Sequence, residues 1–262
     1  MRFFCLLPAL LLLQISFSQD QFTQLTDPVF EQKLIDLKID QSAILDGKIL
    51  NADAQKVQRL DLSNTKDAAY TSFITSLKGI EAFTELEYLD CSNNRLGLLQ
   101  LEANLQLKEL FCSNNHFSKL DVRALKNLET FYCFHNKLEK LNLDNNHKLK
   151  ELNCAENQLL ELVLPSTSPL HSLVASNNHL HHLDLKNNTK IQKISVDYND
   201  LETIVLGNAA TLKWLDCHHN HLKKLQIDAC TALVELNCRS NDLRHLNIDQ
   251  NIALKHLFCG RN

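Results

Sequence analysis

Residues 86–117 read "LEYLDCSNNRLGLLQLEANLQLKELFCSNNHF" and contain one eleven-residue phrase twice. "LEYLDCSNNRL" begins at Leu86 and "LKELFCSNNHF" at Leu107, 21 residues later. The phrase returns at 128, 149, 170, 191, 212 and 233, and a shorter ninth copy, "LKHLFCGRN", begins at 254. Each complete copy is apolar at its first, fourth and sixth positions and carries asparagine at its ninth. Alternation at the fourth and sixth positions is what a strand with one buried face requires. The second half of each copy repeats its own pattern, from Leu96-Leu99-Leu101 to Leu243-Leu246-Ile248. That half is too short for a full helix, and its alternation predicts a second extended segment. A fixed period of this length marks a stack of identical coils, none of which can bury its apolar face alone.

The phrase is the leucine-rich-repeat pattern, L-x-x-L-x-L/C-x-x-N-x-L. It predicts a right-handed solenoid of the α/β horseshoe class, mostly parallel β with little helix, in which two strand ladders stack at ~4.8 Å. Residues 86–262 hold eight complete repeats and one partial one. Residues 57–85 are an irregular opening repeat, in which "VQRLDLSNT" supplies the strand half and "KDAAYTSF" an inserted loop. In residues 19–56, Asp27-Pro28 precedes "VFEQKLIDLKI", a cap residue and first-turn proline before helical apolar spacing. A solenoid exposes its first coil, so this helix is expected to cap it.

Residues 1–18 have the layout of a secretory signal peptide: Arg2, a leucine-rich centre and a small-residue ending at Ser18. The apolar run is too short for a membrane span, and no later stretch is long enough. Of 27 basic side chains only Arg2 leaves with the leader, so 26 remain against 31 acidic ones. That balance excludes the concentrated basic face that nucleic-acid binding needs.

The layout resembles exported bacterial leucine-rich-repeat proteins, relatives of the internalin-type surface proteins with cysteine-bearing 21-residue repeats. "DPVFEQKLIDLKID" and "LKGIEAFTELEYLDCSNN" look like their N-terminal cap and first repeat. The resemblance implies an extracellular recognition role. Such proteins often end in a capping or attachment domain, whereas this sequence stops mid-repeat. Leu246, Ile248, Leu254, Leu257 and Cys259 are therefore expected beside an open edge, one that either continues in a longer frame or pairs edge-to-edge with another molecule.

Eight cysteines follow the leader, an even number that suggests disulfides in an exported chain. Seven of them (Cys91, Cys112, Cys133, Cys154, Cys217, Cys238 and Cys259) hold the sixth position, which Ala175 and Val196 fill in the other copies. The column thus calls for small inward apolar side chains, and free cysteine behaves as one. Cys230 lies instead in a second-half turn and is the candidate reactive thiol. The ninth-position column (Asn94, Asn115, Asn136, Asn157, Asn178, Asn199, Asn220, Asn241 and Asn262) is expected to be structural, its amides satisfying backbone groups at the bend.

"LDCHHNHL" (215–222) looks like a metal site. Yet Leu215 and Cys217 should face inward and Asn220 should close the bend, leaving His218, His219 and His221 exposed. Lateral help could come from His179, Tyr198 or Ser240, too few convergent ligands for zinc. No metal and no cofactor are expected. Nor is there a nucleophile–base–acid set or a phosphate loop, so no enzymatic role is expected. The outward positions carry Tyr88, Phe111, Tyr132, Trp214 and Phe258, with Phe134, Tyr198 and His218 just beyond. Exposed aromatics stabilise a ladder, but they also form interfaces. Phe111, Tyr132 and Phe134 make the first candidate patch; Tyr198, Trp214 and His218 make the second. The leading expectation is a secreted or cell-surface module binding a protein or glycan through its strand face. A structural spacer or adhesin segment, or an inhibitor or accessory of another exported protein, are the alternatives.

Overall fold

The structure, a computed structural model, describes residues 21–65 and 72–262. The leader and most of the loop inserted after Thr65 lie outside the described residues. Ten three-residue strands form one parallel sheet running from Arg59–Asp61 to His256–Phe258. The register never slips: Leu60 faces Leu89, Leu89 faces Leu110, and so on to Leu236 opposite Leu257. Fourth-position residues from Leu60 to Leu236 are at most 1% exposed, and sixth-position residues from Leu62 to Cys238 are fully buried. A one-residue slip would turn both columns outward, which is why the register is strict. The last coil differs: Leu257 is 37% exposed, and Cys259, Ile248 and Phe258 are also exposed.

Asparagine closes each bend. Asn157 Nδ2 donates to Cys154 O (3.1 Å) and Ala155 O (3.1 Å) in its own coil and to Cys133 O (3.0 Å) in the coil before. Its Oδ1 accepts from Leu138 N at 3.0 Å. The same set recurs at Asn115, Asn136, Asn178, Asn199, Asn220 and Asn241. One residue earlier, all nine copies enter the left-handed region, with φ between 51° and 59° from Asn93 to Arg261. That conformation disfavours L-residues, so the side-chain bonds and the next coil hold it in place.

The expected second ladder exists only in part. Lys140–Asn142 pairs with Glu161–Val163, and His182–Asp184 with Thr203–Val205, as separate two-stranded sheets. In both pairs the later strand is β-branched at its end (Val163; Ile204 and Val205), which favours extended pairing. Elsewhere a buried asparagine ties the turns instead. Asn104 donates to Ile80 O and Phe83 O, Asn146 to Val122 O and Leu125 O, and Asn251 to Ile227 O and Cys230 O, all at 2.9 Å.

The first coil is capped by helix α1, Pro28–Asp36, whose Phe30 and Leu34 are fully buried. Asp27 Oδ1 accepts from Val29 N and Phe30 N, capping the helix. Its Oδ2 accepts from Thr75 N, Thr75 Oγ1 and Ser76 N at 2.7–3.0 Å, locking the helix to the opening repeat. Lys33 Nζ reaches Leu62 O and Ser63 O at the edge of the first coil. An antiparallel pair, Phe22–Gln24 with Lys48–Leu50, flanks the helix.

Two predictions follow from these bonds. Asn157→Ala should destabilise by ~1–3 kcal/mol, because it leaves the buried Leu138 amide unpaired and takes one of two donors from each of three carbonyls. Asn157→Asp should be worse, since a carboxylate cannot donate to three carbonyls, while Leu152→Ala should cost ~2–5 kcal/mol through its cavity. Urea unfolding measures all three, and a wild-type midpoint for Asn157→Ala would contradict the ladder's role. For Asp27, burial raises the carboxyl pKa, but hydrogen bonds from Thr75, Val29 and Ser76 outweigh it and hold it below 3.8. Its contribution is therefore full above the unfolded value, near pH 4, and lost as pH falls through the lower folded value. The stability gap between wild type and Asp27→Asn should shrink on acidification from pH 6 to pH 3; a constant gap would exclude this linkage.

Candidate functional site

Because the fourth and sixth positions point inward, the third and fifth point outward, and in-register stacking lines them up in columns. Phe111 and Tyr132 share the fifth-position column and are register partners. Their rings meet edge-on at 5.2 Å. Tyr88 joins from the third-position column, its ring 5.4 Å from Phe111. The Arg59 guanidinium lies over the Tyr88 ring at 3.4 Å. At the other end Tyr132 Oη donates to Glu151 Oε2 at 2.7 Å. Burial, helped by that bond to Glu151, pushes the Tyr132 hydroxyl up to about 12. The first patch thus runs Arg59–Tyr88–Phe111–Tyr132–Glu151. Phe134 is half-buried two residues past the strand, and the ring contacts of the patch run toward Tyr88 rather than toward it.

The second patch has a different centre from the one expected. Tyr198 stacks on His219 (4.4 Å, 15° between planes) and meets His218 edge-on at 5.0 Å. His219 was grouped with the exposed histidines by sequence, not with the aromatics. Trp214 is 44% exposed and sits in the third-position column between Lys193 and Glu235.

Of the lateral neighbours anticipated for His218, Tyr198 is beside it, but its nearest candidate ligands are two that were not anticipated. They are Asp197 and Asp216, and one ligand atom from each of the three lies within 4.8 Å of the others. His218 Nδ1 pairs with Asp216 Oδ1 at 2.5 Å, Asp197 Oδ1 takes hydroxyls from Ser176 and Ser195, and Asn237 Nδ2 donates to Asp216 Oδ2. Two carboxylates and an imidazole could ligate a cation. The Nδ1 of the imidazole is instead already taken by its hydrogen bond with Asp216. Writing the repeats beneath one another puts Asp197 directly above His218, which is the signal that could have revealed this set. A shallow polar groove of about 840 Å³ follows the bend past Asn93, Asn114, His135 and Glu156.

The candidate reactive thiol needs correction. Cys230 is 1% exposed, in the column that most other repeats fill with buried asparagine, leucine or alanine, and burial pushes its pKa up to about 11. The eight described cysteines are free, and Cys259 alone among them is exposed. Burial likewise raises Cys154 to about 12.

Against known proteins, a family model described as "Leucine Rich repeats (2 copies)" matches residues 105–145. The chain has a leucine-rich-repeat fold. The functional domain of InlJ from Listeria monocytogenes, which includes a cysteine ladder, is similar at 23% identity and TM-score 0.53, over 92% of this chain and 62% of that one. A leucine-rich-repeat protein of Leptospira interrogans gives 22% identity and TM-score 0.67, over 79% of this chain and 56% of that one. Internalin C2 from Listeria monocytogenes gives 17% identity and TM-score 0.61, over 90% of this chain and 97% of that one. The chain therefore spans less than two thirds of the first two. No curated protein matches the sequence significantly. The likeness to cysteine-bearing internalin-type repeats holds in the fold.

The burial pattern predicts a two-step thiol titration for protein lacking residues 1–18. In native buffer one thiol, Cys259, should react with an aromatic disulfide reagent within minutes; in denaturant close to eight should. Four stable bridges on non-reducing mass analysis, or rapid native reaction of Cys230, would contradict the core assignment.

Proposed function

We propose that this protein is a secreted or cell-surface recognition module that binds a protein or glycan through its strand face. The observation that carries this is the run of rings on the outward columns, Tyr88–Phe111–Tyr132, with Trp214 separate and exposed. Aromatic side chains on a rigid face supply contact area at small entropic cost, and interface hot spots favour them. The leader-like composition of residues 1–18 supports export. Among the described residues no helix is long and apolar enough to cross a membrane. A non-enzymatic role agrees with the repeats occupying nearly the whole chain, and with a family match that is to repeats alone.

The strand His256–Phe258 has one neighbour in the sheet, and Leu257 and Phe258 are exposed beside it. A spacer or adhesin role would leave the outward rings without a ligand, and an inhibitor or accessory would use the same face on one exported partner.

The test is affinity capture from the medium and surface extract of the producing cells, comparing wild type with Phe111→Ala/Tyr132→Ala. A binder should lose its captured partner by at least tenfold while keeping the wild-type melting temperature. Unchanged capture by a folded double variant would refute a role for this patch and favour the spacer reading.

A further inference from the structure

We infer that the partner is a cationic polypeptide whose arginine or lysine side chains are read by aromatic–carboxylate pairs on the strand face, Trp214 with Asp216 and Glu235 foremost. This rests on the strand-face reading above and gives its ligand a chemistry.

Charge points there first. At the third and fifth positions of the ten strands stand Asp61, Asp90, Glu109, Glu151, Asp216 and Glu235, against Arg59 and Lys193. Six acids against two bases leave four negative charges, equal to the formal net charge of the entire chain. At the second position both acids are paired across coils, Lys108 with Glu87 at 2.8 Å and Lys150 with Glu129 at 2.6 Å, while Lys213 and Lys255 add two further positive charges. Among the described residues, Asp61, Asp90, Glu109, Glu151 and Glu235 make no ion pair.

Like charges are also set side by side. Asp61 is the register partner of Asp90, and ligand atoms of Asp197 and Asp216 lie within 4.8 Å. Adjacent like charges weaken a sheet unless a cation relieves them. The fold supplies part of that relief itself, through the nearby Lys33 ammonium on the Asp61–Asp90 side.

The face moreover contains a built example of the ring contact in that recognition. Arg59 lies 3.4 Å over the Tyr88 ring, on the strand pair that carries Asp61 and Asp90. Arg239 over Phe258 repeats the arrangement at 4.8 Å, and Arg95 over Phe73 at 4.5 Å. A guanidinium on an aromatic face, held by neighbouring carboxylates, is a favourable geometry, and tryptophan is the strongest such face. Trp214 offers such a face to solvent beside carboxylates: the residue is 44% exposed, its register partners are Glu235 on one side and Lys193 on the other, and Asp216 is two residues on. A neutral glycan could stack on the rings and hydrogen-bond the carboxylates but would gain no charge attraction from them, and an anionic one would be repelled.

Trp214 is the only tryptophan in the chain, so its fluorescence reports this site directly. The full-length mature protein is titrated with hexa-arginine, hexa-lysine, hexa-glutamate and maltohexaose at 50 and 300 mM NaCl. Hexa-arginine should shift or quench the emission saturably, bind more tightly than hexa-lysine, and weaken at least tenfold at the higher salt. Glu235→Gln should weaken it at least threefold and Asp216→Asn/Glu235→Gln at least tenfold. Asp144→Asn/Asp249→Asn, which removes two exposed carboxylates from the opposite half of the coils, should leave it within twofold. Glu235→Gln alone decides if the double variant is destabilised. Equal binding of hexa-glutamate or maltohexaose, no response to hexa-arginine, or an equal loss in the Asp144→Asn/Asp249→Asn control would overturn the inference. If hexa-arginine fails while Phe111→Ala/Tyr132→Ala still abolishes partner capture, the charge assignment falls and strand-face recognition stands. If neither effect is seen, both fall.

Discussion

Every coil must turn a corner directly after a three-residue strand, and there the sixth-position carbonyls, such as Cys133 O and Cys154 O, accept from asparagine side chains. The ninth-position amide holds that corner. In Asn157 one NH2 group meets three carbonyls, and the oxygen takes an amide from the preceding coil. No other uncharged side chain of that length both donates and accepts. The rest of the architecture depends on it: the left-handed residue before it, the fixed distance from strand to return segment, and the coupling of each coil to the one before. A buried backbone carbonyl left without a donor costs more than a typical hydrogen bond gains, so the ladder leaves the bend little freedom.

Parallel stacking at one strand spacing then decides the sixth position. The column tolerates cysteine, alanine, valine and leucine (Leu62), so what it selects is a modest apolar volume. Relaxed disulfides bring Cβ atoms to about 3.8 Å, less than the strand spacing of ~4.8 Å. Burial also holds the thiols protonated, which removes the nucleophile that oxidation requires. Geometry and ionisation thus act in the same direction, and the even cysteine count carries no pairing information here.

The parts legible in the sequence are those where a local period and the 21-residue period coincide. Leu89, Cys91 and Asn94 could be placed inside the fold because eight later copies repeat them. Asp27-Pro28 announced α1 because a helix start is a local event. What stayed hidden depends on contacts outside any repeat. The second oxygen of Asp27 finds Thr75 and Ser76, and Lys33 finds Leu62 and Ser63, across an opening repeat whose insertion breaks the register. For the same reason Arg59 was not seen over Tyr88, although the two are adjacent across the sheet. The second asparagine set was masked because its column alternates with leucine, alanine and Cys230. Cys230 was misjudged through the same gap: a turn residue in sequence proved to be a core residue in space.

Repetition also separates stability from recognition. Positions one, four, six and nine are consumed by the core and the bend, so their side chains are fixed by volume or hydrogen bonding. Positions three and five are held just as rigidly by the backbone, yet their side chains face water. A partner therefore meets rings and carboxylates already arranged on a grid with strand spacing along one axis, and little backbone entropy is lost on binding. On such a grid, placing Asp61 opposite Asp90 is unfavourable for the isolated sheet, whereas the pairing Lys108–Glu87 one column away shows that compensation is geometrically easy. That contrast is why the third and fifth columns, and not the whole acidic surface, are assigned to a cationic ligand.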